Sequence, residues 1–321
     1  MYYNKLINPI LFQGKKKRKN YFEGWYYKQV SKDEKNAISI IPGISLFEDD
    51  VHSFVQYIFS NSDILGNKII NGYARYDYKD FQFNNDPFQI NVSDNVFTES
   101  DININLKDEA NNISGVLSYG PLTNIKRNLI MPNIMGYFAY LPFMQCYHGV
   151  ISVNHSVNGF VNINGKKIDF NNGKGYIEKD WGSSFPSKYI WVQCNNFLNN
   201  NTNVICSVAE IPFMKQSFLG FICNLVIANN EYRFATYNNS KFLIDKSEEI
   251  LKLIFIKNNL KLTIETSNES GKGNLIAPAK GRMQKIINED LSGIITIKLF
   301  ECEKLIYEDN GKMAGIENVG F

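Results

Sequence analysis

Val161-Asn-Ile-Asn-Gly-Lys-Lys-Ile-Asp-Phe170 sets the frame for the whole chain. Val161 and Ile163 alternate with polar residues before Asn164-Gly165, and Ile168 and Phe170 do so after it. Period-two alternation gives an extended strand one apolar and one polar face. Asn-Gly is favoured in two-residue hairpin turns, because both central positions need φ > 0. The stretch reads as two antiparallel strands around a tight turn.

The same pattern extends in both directions. Asn71-Gly, Asn158-Gly, Asn172-Gly and Asn310-Gly repeat the turn signal. Ile102-Asn-Ile-Asn-Leu106 and Leu260-Lys-Leu-Thr-Ile-Glu265 repeat the alternation. Helical periodicity is scarce: residues 247–251 read as one turn of helix, and 132–144 as a short helix or a covering loop. Many short strands at regular spacing predict an all-β, antiparallel barrel or sandwich architecture with few short helices.

The chain also echoes itself. Trp25-Tyr-Tyr-Lys-Gln-Val30, Ile38–Ile44 and Ser53–Phe59 have later counterparts in Trp191–Phe197, Val204–Pro212 and Phe218–Leu225. Asn172-Gly-Lys-Gly-Tyr-Ile-Glu-Lys-Asp-Trp-Gly182 parallels Asn310-Gly-Lys-Met-Ala-Gly-Ile-Glu-Asn-Val-Gly320. An internal duplication of an all-β unit predicts an N-terminal arm over 1–20, a first domain over 21–186 and a second over 187–321. A seam between two such domains is a common place for a small-molecule site. The run Lys15-Lys-Lys-Arg-Lys19 in the arm is either an anion or peripheral membrane contact or a solvated stretch before the first strand; one short cluster fits the solvated reading better. The aromatic and Met-rich segment 131–147 departs from the repeat and is either a lid over a ligand cavity or a long loop packed on its own domain.

Bulk properties exclude several function classes. The chain has 321 residues, 44% of them hydrophobic and 21% charged, with a net charge of +2. That is an ordinary globular composition with no global field to attract nucleic acid. Five cysteines, an odd number with no C-x-x-C pair, point to reduced thiols and a cytoplasmic location rather than a disulfide framework. There is no secretion signal at the start and no run approaching the ~20 apolar residues that span a bilayer. His52, His148 and His155 have no metal-ligand spacing, so no metal site is expected; His148 and His155, seven apart, fall on opposite faces of a strand.

Two clusters carry chemistry. In Tyr176-Ile-Glu-Lys-Asp-Trp181, an extended chain puts Tyr176, Glu178 and Asp180 on one face and Lys179 on the other. Two close carboxylates push one pKa upward, as burial does, which can leave one of them protonated near neutral pH. Tyr21-Phe-Glu-Gly-Trp-Tyr-Tyr27 adds Glu23 and a set of aromatic faces, which with Trp181 and Trp191 can stabilise a developing cation. The structural alternative stays open: Trp25 can plug the end of a domain, and Glu23 and Asp180 can satisfy backbone N–H groups or a lysine there.

Tyr21-Phe-Glu-Gly-Trp-Tyr-Tyr-Lys28, Gly175–Pro186 and Trp191-Val-Gln-Cys-Asn-Asn-Phe197 together resemble the tocopherol cyclase family, in order and spacing, from about Tyr21 onward. The resemblance implies two tandem lipocalin-like β-barrels packed side by side and a lipophilic small-molecule partner. It also implies a cofactor-independent, acid-catalysed cyclase or isomerase acting on a prenylated quinol or similar polyene. By motif position, Glu23, Glu178 and Asp180 become candidate proton donors. Trp25, Tyr26, Tyr176, Trp181 and Trp191 become pocket walls, and Gln193 and Asn195 candidate contacts to a quinol hydroxyl. The alternative is a carrier that holds the same class of ligand without chemistry.

Overall fold

Alternating strands joined by short turns form two antiparallel sheets in a computed structural model that describes residues 2–62, 68–142, 144–213, 216–267 and 273–321. The first sheet contains β1 (Tyr21–Val30), β2 (Asn36–Phe47), β3 (Asp50–Asn61), β4 (Lys68–Asp77), β5 (Phe81–Asn85), β6 (Phe88–Val92), β7 (Asn95–Thr98), β8 (Asp101–Lys107), β9 (Asn112–Tyr119), β10 (Cys146–Ile163), β11 (Lys166–Asp169) and β12 (Gly173–Gly182). The second contains β13 (Tyr189–Cys194), β14 (Thr202–Phe213), β15 (Gln216–Ile227), β16 (Asn230–Ala235), β17 (Lys241–Lys246), β18 (Ile250–Lys257), β19 (Leu260–Ser267), β20 (Gly273–Ala279), β21 (Arg282–Glu301) and β22 (Lys304–Val319).

One strand order serves both sheets. The first runs β4-β3-β2-β1-β12-β10-β9-β8-β7 and on to β5; the second runs β16-β15-β14-β13-β22-β21-β19-β18-β17. In each, the last strand of the half pairs with its first, which needs no chain crossing on one edge. Among the described residues neither sheet closes on itself through a hydrogen-bonded ladder. The chain divides into two compact units, Met1–Phe185 with Gly273–Ile287, and Pro186–Lys272 with Asn288–Phe321. Among the described residues, no helix is long and apolar enough to cross a membrane.

The quoted hairpin forms as its sequence dictates. Ile163 pairs with Lys166, and Asn164 and Gly165 take φ of 54° and 85°. In β8 the alternation is clean, with Ile102, Ile104 and Leu106 buried between exposed neighbours. Three other Asn-Gly pairs are not turns: Gly72 lies within β4, Gly159 within β10 and Gly311 within β22. Close approach explains two of these glycines. A Cβ on Gly72 would stand 2.4 Å from the Tyr57 hydroxyl, and one on Gly159, at φ +127°, 2.2 Å from the Val116 carbonyl. Residues 247–251 form no helix; the Ser247 amide donates to the Ile250 carbonyl at 2.9 Å and closes the β17–β18 hairpin. Segment 132–144 carries a 3₁₀ turn, Gly136–Tyr140, within a covering loop; its Phe143 lies outside the described residues.

The run Lys15–Lys19 is exposed, as its solvated reading has it, but the stretch of the arm just before it enters the core. Among residues 5–20 only 15–20 are exposed, whereas Ile10, Leu11 and Phe12 are buried in the core of the first unit with Trp25 and Trp181. The short helix α1 (Tyr2–Ile7) precedes this plug. Backbone groups entering a core must be paired, and they are. Trp25 Nε1 donates to the Ile10 carbonyl at 2.7 Å, Lys179 Nζ to the Leu11 carbonyl at 2.7 Å, and the Phe12 amide to Asn85 Oδ1 at 3.0 Å.

Strand β10 shifts register twice against β12, between Val150 and Ser152 and between Ser152 and His155. His155 thereby lies against Gly175, where a Cβ would stand 2.1 Å from its Nε2. Burial pushes the His155 pKa down to about 3, so this ring is neutral. Gly175→Ala is expected to cost about 1–3 kcal/mol through overpacking. It should appear as a lower urea midpoint at unchanged slope; an unchanged midpoint would mean the ring yields without cost.

Candidate active site

Side chains on β12 alternate between two environments. Ile177, Lys179 and Trp181 face the core of the first unit; Tyr176, Glu178 and Asp180 face the other way. Neighbouring strands extend both sets. On β1, Glu23, Trp25 and Tyr27 share the core face, while Tyr26 stands across from Glu178 and the buried Lys28 across from Tyr176. On β10, His148 pairs with Asp180 and Val150 with Glu178.

The non-core face therefore gathers Tyr26, His148, Tyr176, Glu178 and Asp180. His148 Nδ1 lies 2.9 Å from Asp180 Oδ1, and His148 Nε2 lies 3.5 Å from Glu178 Oε2. The Tyr176 hydroxyl donates to Glu178 Oε2 at 2.5 Å, and the Tyr26 ring meets the Tyr176 ring edge-on at 6.5 Å. Met135 Sδ accepts from the His148 amide at 3.2 Å, which ties the covering loop to the site. The Nε2 atom is buried and has no hydrogen-bond partner at normal range.

Electrostatics favour the protonated form of this histidine. Burial alone would strip its charge, but the carboxylates of Glu178 and Asp180 outweigh that and push its pKa up to about 9. At neutral pH the ring is an imidazolium between two acids. Burial, with Glu178 adding to it, holds the Tyr176 hydroxyl well above its usual range, so it stays a donor. The Cys146 thiol beside Asp180 is likewise pushed up, first by burial and then by Asp180, and is a thiol rather than a thiolate. Ligand-type atoms of His148, Glu178 and Asp180 lie within 4.8 Å of one another, so a divalent cation could occupy the same set.

The other sequence-predicted residues lie elsewhere. Glu23 and Trp25 are in the core, and the Glu23 carboxylate is fully engaged. Its Oε1 receives Lys179 Nζ at 2.6 Å; Oε2 receives the Tyr21 hydroxyl at 2.6 Å and the Gly14 amide at 2.9 Å; the Gln13 amide donates at 2.8 Å. Trp181 is also on the core face, stacked on Tyr147 at 5.5 Å, and Lys179 Nζ stands 4.7 Å from its ring centroid. Burial pulls the Lys179 pKa down to about 8 against the opposing pull of Glu23.

Trp191, Gln193 and Asn195 belong to the second unit. Ile190, Val192 and Cys194 fill that unit's core, so Trp191 and Gln193 face away from it. Trp191 pairs with Glu317 and lies over Gly315, where a Cβ would come within 2.6 Å of the indole. The Tyr189 hydroxyl donates to Glu317 Oε2 at 2.5 Å, and Asn195, just past β13, is buried. A cleft of about 270 Å³ in the first unit is lined by Asn8, Pro9, Leu122, Arg127 and Ile151 and touches none of His148, Glu178 or Asp180.

His148 was not legible as a site residue. Its role depends on which strand lies beside β12, and the spacing of histidines along one strand carries no such information.

Comparisons with known proteins bear on the family through sequence and on the fold through structure. The family profile described as Tocopherol cyclase-like matches residues 101–320, a stretch that includes His148, Glu178 and Asp180 but begins after β1. A chloroplastic tocopherol cyclase from Zea mays is 34% identical over 62 residues, 19% of this chain and only 13% of that protein's length. Kievitone hydratase from Nectria haematococca has a similar fold, with a TM-score of 0.56 at 12% identity over 97% of this chain and 93% of that one. CghA, solved with Sch210972, has a TM-score of 0.59 at 8% identity over 93% of this chain and 88% of that one.

Proposed function

The chain belongs to the tocopherol cyclase-like family, and on that premise we propose that it is a cofactor-independent, acid-catalysed cyclase or isomerase of a prenylated quinol or similar lipophilic polyene, with His148 carrying the proton. One observation carries the reading: an imidazolium, 14% exposed, clamped between two carboxylates, with a buried ring nitrogen not fixed by a hydrogen bond. A cyclase in the family and a hydratase of the same fold support it. In the same proposal each sheet is one lipocalin-like barrel, carried by 21–186 and by 187–321.

Proton transfer starts from Nε2. Asp180 holds Nδ1 and so orients the ring. As the Nε2 proton moves to an alkene carbon, the new C–H bond leaves a cation on the neighbouring carbon. The ring becomes neutral, and Glu178 and Asp180 then present uncompensated negative charge to that cation. The site thus binds the transition state better than the ground state. A quinol hydroxyl oxygen closes the ring on the cation and its proton returns to His148, so substrate and product are isomers. Glu23 takes an architectural part here, holding the arm through Gln13, Gly14 and Lys179.

A direct test incubates the protein with a prenylated quinol in D₂O and chelator. Ring-closed product carrying one deuterium at the protonated carbon is expected; quinol recovered unchanged would favour the carrier reading. Rate should be flat through neutral pH and fall as pH rises through about 9, where His148 loses its proton. The same shift has a stability sign. The folded-state pKa lies above the unfolded value of about 6.5, so the contribution is fully present below that pH and is lost as pH rises through about 9.

A further inference from the structure

We propose that the tip of the covering loop, Leu129-Ile130, is a contact to an anionic lipid surface. Isolated exposed aliphatic residues are ordinary, but these two are adjacent and exposed to 74% and 70%. The turn beneath them is pinned rather than loose. The Asn128 amide donates to the Met131 carbonyl at 3.0 Å, and Asn128 Oδ1 accepts from the Ile130 and Met131 amides at 3.0 and 2.8 Å. The Tyr140 hydroxyl donates to the Leu129 carbonyl at 2.6 Å. Ordering two aliphatic side chains in water brings no folded-state gain, whereas presenting them from a fixed turn suits insertion among acyl chains.

Charge and composition choose the partner. Residues 121–147 contain Lys126 and Arg127 and no acidic residue. Both cations are exposed at the foot of the tip, and Tyr140, whose hydroxyl donates to the Leu129 carbonyl, is exposed beside it. Aliphatic tip, aromatic shoulder and cationic base form the sequence of layers met on entering a membrane interface with anionic headgroups. Arg127 also donates to the Ile7 carbonyl at the end of α1, and Asn133 Nδ2 to the Leu6 carbonyl at 3.0 Å. The arm that continues into Lys15–Lys19 is thereby joined to the same loop. On its inner side the loop reaches the site, since Met135, five residues beyond Ile130, accepts from the His148 amide. A lipid contact here would place the covering loop, and the site beneath it, at the phase in which a polyene dissolves.

The test needs no turnover, so it stands or falls apart from the enzymatic reading. The full chain is sedimented with phosphatidylcholine vesicles, with and without phosphatidylglycerol. Binding to the anionic vesicles is expected, and the combined Leu129→Asp, Ile130→Asp variant should partition at least about tenfold more weakly. Lys126→Gln with Arg127→Gln should lose the preference for phosphatidylglycerol. Leu243→Asp with Ile244→Asp, exposed aliphatics on β17, should bind like the parent. If the aspartates disturb the circular dichroism spectrum, the corresponding serine pair replaces them. A parent chain that stays in the supernatant with both vesicles, or a tip variant that sediments like the parent, overturns the proposal. So does a tip variant whose only effect is to dissociate an oligomer in light scattering, which would assign the tip to a second copy of the chain.

Discussion

His148→Gln is expected to lower turnover of a prenylated quinol by about 10²–10⁴-fold, the range that a positioned general acid contributes, with the far-UV spectrum unchanged. Glutamine keeps a polar group near Asp180 but has no proton to give at neutral pH. The partners should respond differently. Asp180→Asn removes one of the two charges that raise the imidazolium pKa, so the alkaline fall in rate should move from about 9 towards the ordinary histidine value near 6.5. Glu178→Gln should move it in the same direction and should also lower the plateau, because that carboxylate faces the nitrogen that donates. A merely structural histidine would change stability without moving the pH profile. Parental turnover in His148→Gln would remove His148 from the chemistry.

Glu23→Ala is expected to destabilise the protein by about 3–5 kcal/mol, because it leaves an ammonium in a core without its counter-ion. Both side chains of the pair are 0% exposed. Lys179 would retain the Leu11 carbonyl as its hydrogen-bond partner and the faces of Trp25 and Trp181, 4.9 and 4.7 Å away. The same change orphans the Gln13 and Gly14 amides, so protease sites in the arm should open before the rest of the chain unfolds. Replacing both partners, Glu23→Leu with Lys179→Met, should recover much of the loss, since removing a buried pair together is far milder than removing half of it. A loss under about 1 kcal/mol for Glu23→Ala would show that water reaches the pair.

Alternation and turn chemistry made the strand architecture legible, and in β12 they also separated Lys179 from Glu178 and Asp180. What alternation cannot supply is the neighbour of a strand. His148 and Asp180 are 32 residues apart and meet only because β10 lies beside β12 in that register. The repeat misleads by one residue for the same reason. Aligning Trp25 with Trp191 matches a core tryptophan with one that faces away from its core, and a slip of one position reverses every side chain. The Asn-Gly signal failed inside β4, β10 and β22, and at Gly72 and Gly159 the glycine answers to crowding by a neighbouring strand rather than to a turn. In the arm, the run of five cations masked the short Ile10-Leu11-Phe12 plug, whose burial depends on carbonyl partners supplied by Trp25 and Lys179.

The chain has three histidines, which makes the protonation state of the site directly readable by ¹⁵N NMR of labelled imidazoles. Burial lowers the pKa of His52 and takes His155 down to about 3, whereas His148 is pushed up to about 9. At pH 7.5 one imidazolium and two neutral rings are expected, with the charged signal missing from the His148→Gln spectrum. Three neutral rings at that pH would contradict the account, because the site would then hold no proton to deliver.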